Sequence, residues 1–534
     1  MYTPTTQCLI WRDKILSRIT VIKSVIESEL HRLDKAEGYV AANTWLRSIA
    51  KRLSWCDQYV TELSGDQLAG WADRQARLTE VSFHDLFHKF GKQRAIEFLQ
   101  KEAAYAGFEF SHWHDMDRVL GMAARMFTAA WWARQAKRQW VVVEQVLREC
   151  GQVHRKASPY VSSFGLNKFR IQQQNNRAFL EGWEAVNDQG QSFTLAQLSE
   201  KGISNPDNRK AELMVRIRGF EEMAAEFGHD SYFVTVTCPS KYHPTSGGRR
   251  NRKYLKADSP TVREAQAYLN TLWRRFRAYC KNHGIDFYGL RTVEPHHDGC
   301  PHWHLITFVK PSQAEAFLSA FRRYAFAEDG NERGADKHRF TVVKIDPAKG
   351  TAAGYVAKYV AKNISGDHID HDHETGKSGR DAAERITAWA RLNRIRQFQF
   401  VGGVSVTVWR ELRRLGVDAA PSMCKEIYHA ANRADWSAFV KLMGGVFAGR
   451  HQALKPHYSE PTENQFGEMV ATIKGVALAS GIEAVITRLY DWTIQRIGTD
   501  LQESALENGG AVPWTRVNKC TGGGYAPNPP PIYH

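Results

Sequence analysis

Leu290-Arg-Thr-Val-Glu-Pro-His-His-Asp-Gly-Cys-Pro-His-Trp-His-Leu-Ile-Thr-Phe308 is the stretch that decides the fold. Val293 and Glu294 end one apolar run and His302 begins another. Pro295, Asp298-Gly299 and Pro301 lie between them, and these are turn formers, so the segment reads as a β-hairpin. Side chains alternate faces along a strand, so His302 and His304 point the same way and Trp303 points into the other layer. Glu294 sits at the opposite lip and can reach the same spot. His296 and His297 could take its place, but they sit in the turn and not at the strand end. Two imidazoles and a carboxylate on one face make a candidate divalent-metal site with open positions.

A second pattern follows, Gly354-Tyr-Val-Ala-Lys-Tyr-Val-Ala-Lys-Asn363. It suits a helix, for which Asp346-Pro347 offers an N-cap with proline at the first helical position. Tyr355 and Tyr359 are four apart, hence on one face and one turn from each other, and Lys358 and Lys362 flank that face. A phenol has a reference pKa of about 10 and is a weak nucleophile at neutral pH. A nearby metal or lysine favours the phenolate and neutralises charge on an attacked phosphate.

Histidine-hydrophobic-histidine on a strand, followed by Tyr-x-x-x-Tyr, resembles the HUH superfamily of single-strand endonucleases. More closely, the chain resembles the replication gene A proteins of temperate tailed bacteriophages. The matching text includes Thr235-Val-Thr-Cys-Pro-Ser-Lys-Tyr-His243, Glu294-Pro-His-His-Asp-Gly299, Pro301-His-Trp-His304, Lys358-Tyr-Val-Ala-Lys-Asn363 and Arg394-Ile-Arg-Gln-Phe398. It runs from about Tyr160 to about Leu415. The resemblance implies a rolling-circle initiator that holds Mg²⁺ or Mn²⁺ on His302, His304 and Glu294. One of Tyr355 and Tyr359 attacks the origin and keeps the DNA 5′ end as a phosphotyrosine. The free 3′ hydroxyl then primes synthesis, and the second tyrosine cuts the regenerated origin. Lys358 is a candidate to stabilise the phenolate or the leaving oxygen. The implied partners are single-stranded DNA at an origin, a host helicase and a host DNA polymerase.

Composition agrees with a polyanionic partner. The 534 residues carry a formal net charge of +15, and 43% are hydrophobic, enough for several buried cores. The eight cysteines, at 8, 56, 150, 238, 280, 300, 424 and 520, form no Cys-x-x-Cys pair, which argues against a zinc ribbon or a disulfide framework. No run is long enough to span a bilayer and the first residues lack a signal pattern, so a soluble protein of the bacterial cytoplasm is expected. Oligomeric state is not legible.

The expected fold class is α+β. Residues 1–227 read as a helical region, in which Trp45, Trp55, Trp71, Trp131, Trp132 and Trp140 fit buried faces. Its role is origin or partner binding only as a hypothesis. Residues 228–415 read as the endonuclease domain with a basic extension. There Tyr232–Thr237 is a strand, Ser259-Pro260 caps a helix ending at Gly284, and the hairpin Phe287–Glu294 and His302–Val309 follows. A helix over about Ser312–Ala327, the strand Arg339–Ile345 and the tyrosine helix complete a split βαβ, ferredoxin-like antiparallel sheet. Residues 416–507 read as mainly helical, including Asn464–Ile497, and 508–534 as a disordered tail.

Candidate DNA contacts are Thr235 and Thr237, the basic loop residues Arg249, Arg250, Arg252 and Lys253, then Lys362, Arg394 and Arg396. The basic, aromatic stretch Ala388–Phe398 reads equally as a DNA-backbone contact or a packed helix. Asp367-His-Ile-Asp-His-Asp-His-Glu374 looks metal-like in composition but reads as a solvated loop. Two alternatives stand beside the nicking enzyme. One is a non-catalytic origin-binding protein on the same fold, which the intact histidines and tyrosines speak against. The other is a relaxase or transposase; relaxases usually carry three histidines and an N-terminal tyrosine, and such transposases are usually much smaller.

Overall fold

The computed structural model describes residues 4–246, 249–367, 370–372, 375–416 and 421–498. The tail expected to be disordered lies outside them. The chain divides into two compact units, one of Met1–Asn175 with Pro461–Val470, the other of Asn176–Glu460 with the chain from Ala471 onward. The division falls well before Phe227, where the sequence changes character.

The first unit is mainly helical, as its apolar periodicity predicts, and five of the six tryptophans expected on buried faces are core residues, Trp55 being half-buried. Trp45, Trp71, Trp131, Trp132 and Trp140 are buried. Trp132 meets Trp71 and Trp131 edge-on, at ring separations of 6.0 and 4.9 Å, and its indole donates to the Met126 carbonyl. The Trp45 indole donates to Glu149. These rings are spent on packing, and those of Trp45 and Trp132 also on hydrogen bonds.

The second unit is built on one antiparallel sheet. Its strands are β1 (Asp230–Thr237), β2 (Phe287–Pro295), β3 (Pro301–Val309), β4 (Phe340–Lys344) and β5 (Phe398–Val401), in the spatial order β4-β1-β3-β2-β5. The first four have the split βαβ arrangement expected from the sequence, and β5 adds an edge beside β2. A helix over Val262–Asn282 joins β1 to β2, and one over Pro311–Ala325 joins β3 to β4. The first of these starts from a Thr261–Glu264 capping box, so Thr261 and not Ser259-Pro260 is its cap. Gly284 ends it with φ +63°. Gly289, at φ +156°, lets β2 lie close to β3; a Cβ there would sit 1.9 Å from the Ile306 carbonyl oxygen.

The pleat divides the side chains into two layers. Trp303 faces the two connecting helices, where it meets Trp273 edge-on at 6.2 Å, lies under the Arg291 guanidinium and donates to Gln266 at 3.1 Å. Trp303→Ala should therefore destabilise this unit by about 3–5 kcal/mol, read as a lower urea midpoint by circular dichroism. The opposite face carries Phe233, Leu290 and Ile306 in a core shared with a helix over Pro206–Glu226, the tyrosine helix and helices further along.

Three expectations are corrected. The tyrosine helix spans Ala352–Ile364 and is capped by Thr351, whose side chain accepts from the Gly354 N–H. Asp346 instead closes a turn, accepting from the N–H groups of Ala348, Lys349 and Gly350. Glu221 also accepts from the Ala352 N–H, placing a carboxylate at the positive end of the helix dipole. Asn464–Ile497 is not helix. It contains Ile473–Leu478, which pairs with Leu454–Tyr458 and Ala484–Ile486, and Trp492–Arg496, which pairs with Trp183–Asn187. Its apolar residues are close enough to helical spacing to mislead. Gly475 nevertheless lies against the Val485 carbonyl, where a Cβ would sit 1.9 Å away, and Gly481 turns the hairpin with φ +76°. The third correction is Trp183–Asn187 itself with Ser192–Thr194, a short strand pair inside a stretch read as almost wholly helical. Lys425–Asn432 and Trp436–Leu442 are two short helices within the stretch expected to be mainly helical.

Candidate metal centre and tyrosine helix

The register of the hairpin builds the centre. Glu294 on β2 is the direct cross-strand partner of His302 on β3, and Thr237 on β1 flanks His302 on the other side. One row further, His304 lies between Thr292 and Thr235. Two residues on one strand and one on its neighbour thus meet on one face. The ligand atoms of Glu294, His302 and His304 lie within 4.8 Å of one another, and they form the one such His/Cys/Asp/Glu group found among the described residues.

The donor set fits a divalent ion. The two Nε2 atoms are 3.0 Å apart. That is close to the roughly 2.9 Å expected between adjacent ligands about 2.05 Å from an octahedral ion. Thr235 bonds His304 Nδ1 at 2.9 Å, leaving Nε2 to face the centre. His302 Nδ1 is buried without a hydrogen-bond partner. Burial first, and the neighbouring His296 and Lys362 next, push His304 down to about 3. Burial likewise holds His302 well below its ordinary value, with His296 and His304 adding to the effect. Both imidazoles are therefore neutral at pH 7, the state that offers a lone pair to a metal. One carboxylate and two neutral imidazoles suit magnesium, manganese or another divalent cation. Thr235, expected as a DNA contact, is half-buried and bonds His304. Thr235→Val should weaken Mn²⁺ binding by about 10–100-fold in a calorimetric titration while the sheet stays folded.

The tyrosine helix lies against this face. Tyr359 is half-buried, its ring 4.4 Å from His304 and stacked on Phe233 at 5.2 Å. Tyr355, one turn earlier, is 40% exposed and tilted 6.1 Å from Phe233. Burial, helped by Glu294 and opposed by Lys362, raises the Tyr359 phenol. The two lysines have different surroundings. Lys358 is exposed. Lys362, expected at the DNA backbone, is largely buried between Glu294 at 3.6 Å and Asp372 at 3.2 Å.

Of the other candidates, His296 stacks on His302 with ring centres 4.0 Å apart, so it backs the centre. Thr237 donates to the His338 carbonyl. Arg250 is half-buried, Arg252 exposed, and Lys253 pairs with Glu332 at 3.0 Å; Arg249 sits in the short strand Arg249–Arg250. Arg394 and Arg396 are both exposed beyond the helix Gly379–Asn393, and Arg396 donates to the Phe398 carbonyl. In that helix Trp389 is buried and donates to the Gly299 carbonyl in the hairpin turn. The loop expected to be solvated contributes Asp372, which is 3% exposed; residues 368, 369, 373 and 374 lie outside the described residues. Sequence reasoning also passed over Asn363 and Gln397, although both lie inside quoted motifs. Among the described residues, no helix is long and apolar enough to cross a membrane.

Fold and cluster together define an α+β protein with a two-histidine, one-carboxylate centre under a helix bearing two tyrosines. Residues 86–367 match the family described as bacteriophage replication gene A protein (GPA). The chain is 36% identical over 442 residues to the replication protein of Haemophilus phage HP1, a match covering 78% of this chain and 56% of that protein. It is 38% identical over 432 residues to the replication gene A protein of Escherichia phage 186, covering 78% and 61%. It is 34% identical over 420 residues to a probable replication endonuclease from a prophage-like region of Salmonella paratyphi A, covering 74% and 52%. No solved structure matches. The chain belongs to the bacteriophage replication gene A protein family. It spans between 52% and 61% of the length of these three relatives.

Proposed function

We propose that the chain is a site- and strand-specific DNA endonuclease and ligase of the HUH type that starts rolling-circle replication from a phage origin. The observation that carries this reading is the tyrosine stripe lying over the Glu294–His302–His304 cluster, with Tyr359 in contact with a candidate ligand. Relatives named as replication proteins and as a probable replication endonuclease support it.

A tyrosine oxygen attacks the scissile phosphorus in line. The phenol gives up its proton, the bond from phosphorus to the 3′ oxygen breaks, the 3′ oxygen takes up a proton in exchange, and the 5′ side of the strand stays on the tyrosine as a phosphodiester. Attack by a 3′ hydroxyl on that linkage reverses the step, so strands rejoin without a nucleotide cofactor. Mg²⁺ or Mn²⁺ held by His302, His304 and Glu294 would supply charge to polarise the phosphate. Thr235 and His296 fix the imidazoles against which the phosphate docks. The exposed Lys358 faces the incoming strand and neutralises phosphate charge. Arg249, Arg250, Arg252, Lys253, Arg394 and Arg396 hold the backbone of single-stranded DNA, and Thr237 lines the same face. A host polymerase extends the 3′ end behind a host helicase, inside the bacterial host cell.

The test uses the purified chain with Mg²⁺ or Mn²⁺ and end-labelled single-stranded oligonucleotides tiling its own coding region and flanks. A covalent protein–DNA band on a denaturing gel, lost in EDTA, is expected with one oligonucleotide. Tight binding to one oligonucleotide without any such band would favour an origin-binding protein instead.

A further inference from the structure

Arg394-Ile-Arg-Gln-Phe398 was singled out in the sequence, and the exposed arginines leave the rest of the motif unexplained. The structure puts Gln397 indoors. It is 7% exposed, and its backbone carbonyl accepts from the Val293 N–H at 2.8 Å, beside Glu294. Its side-chain amide donates to Asn363 Oδ1 at 3.0 Å. Asn363 is 1% exposed, and its own amide donates both to Glu294 Oε1 and, at 2.6 Å, to the Tyr359 carbonyl. Glu294 is also 1% exposed.

These contacts close a triangle. Gln397 is pinned to β2, Asn363 to Gln397, and Glu294 to Asn363. Tyr355, Tyr359 and Asn363 are spaced by four along one helix, so all three share one stripe. The residue that grips Glu294 therefore also sets where both phenols stand along the helix axis. The amide orientation is forced: Nδ2 must face the carboxylate and Oδ1 must face the Gln397 donor. A buried carboxylate loses several kcal/mol of solvation, so its donors decide where it sits.

We infer that Asn363, braced by Gln397, is a positioning residue that holds Glu294 as a metal ligand and ties the tyrosine helix to the metal centre. The inference rests on the metal-centre reading above and adds that ion binding and helix placement are one linked event.

The experiment titrates Mn²⁺ into the purified wild-type chain, His302→Ala, Asn363→Ala and Gln397→Ala by calorimetry. Hydrogen exchange over residues 352–364 is followed with and without Mn²⁺. We expect His302→Ala to abolish binding, Asn363→Ala to weaken it about 10–100-fold and Gln397→Ala to weaken it less. Mn²⁺ should slow exchange in the tyrosine helix of wild type and not in Asn363→Ala. Excess Mn²⁺ should restore much of the adduct formed by Asn363→Ala, which a lost fold would not permit. Wild-type affinity in Asn363→Ala, with binding gone in His302→Ala, would overturn the positioning role alone. Unchanged affinity in His302→Ala would overturn the metal centre and this inference with it. Should Asn363→Ala fail to fold, Gln397→Ala and Asn363→Ser carry the same comparison.

Discussion

With Tyr355 and Tyr359 both replaced by phenylalanine, the chain is expected to form no covalent DNA adduct, a fall on the order of 10⁴-fold or more. Only the phenol oxygens are removed. The Tyr359 ring keeps its seat between His304 and Phe233, so the helix should stay docked and DNA binding should persist. Retained binding with lost adduct is the diagnostic pair, read by gel shift and denaturing gel on the same oligonucleotide. The single variants should differ, because the tyrosines stand in different surroundings. Tyr355 is 40% exposed, whereas Tyr359 is half-buried against a candidate ligand. An adduct of normal yield in the double variant would place the nucleophile elsewhere.

The second large effect is expected from His302→Ala. It removes one of three donors and leaves Glu294 and His304 as a pair too open to hold a divalent ion well. Mn²⁺ affinity should fall by at least about 100-fold, and adduct formation with it. His302 also carries His296 stacked on its ring and faces Glu294 across the strand pair. A small loss of thermal stability is therefore expected, and measuring it separates a weakened sheet from a lost ligand. An adduct rate near wild type at low Mn²⁺ would mean that the imidazole is structural.

How much of this was legible depended on distance along the chain. The hairpin could be read because its periodicity of two and its turn residues are local, and because Glu294, His302 and His304 fall on one face whatever surrounds them. The tyrosine stripe was readable for the same reason, through helical spacing. The fate of the two lysines was not. Lys358 and Lys362 carry the same side chain one turn apart, and the burial of Lys362 rests on Glu294 and on Asp372 from a later loop, both distant in sequence. Asn363 and Gln397 were hidden because an amide announces nothing until its partners are known, and those partners are 69 and 34 residues from Asn363. Thr235 looked like a surface group on a DNA face, and its tie to His304 depends on strand pairing across the same span. The error over Asn464–Ile497 was of another kind. Periodicity competed there with three glycines at 467, 475 and 481, and the glycines deserved more weight.

The pairing of Glu294 with His302 also bears on how the centre comes into being as the chain folds. Eight positions separate these two residues, while fifty-one separate His304 from Tyr355. Loop-closure entropy grows with the logarithm of length, so bringing the phenol home costs about 1.6 kcal/mol more than closing the hairpin. Hairpins close in about 1–10 μs, well before long-range docking. The candidate ligands are therefore neighbours early, and the two tyrosines join them late. A refolding chain should first pass through a form in which the three candidate ligands have met and the tyrosine helix has not yet docked on them.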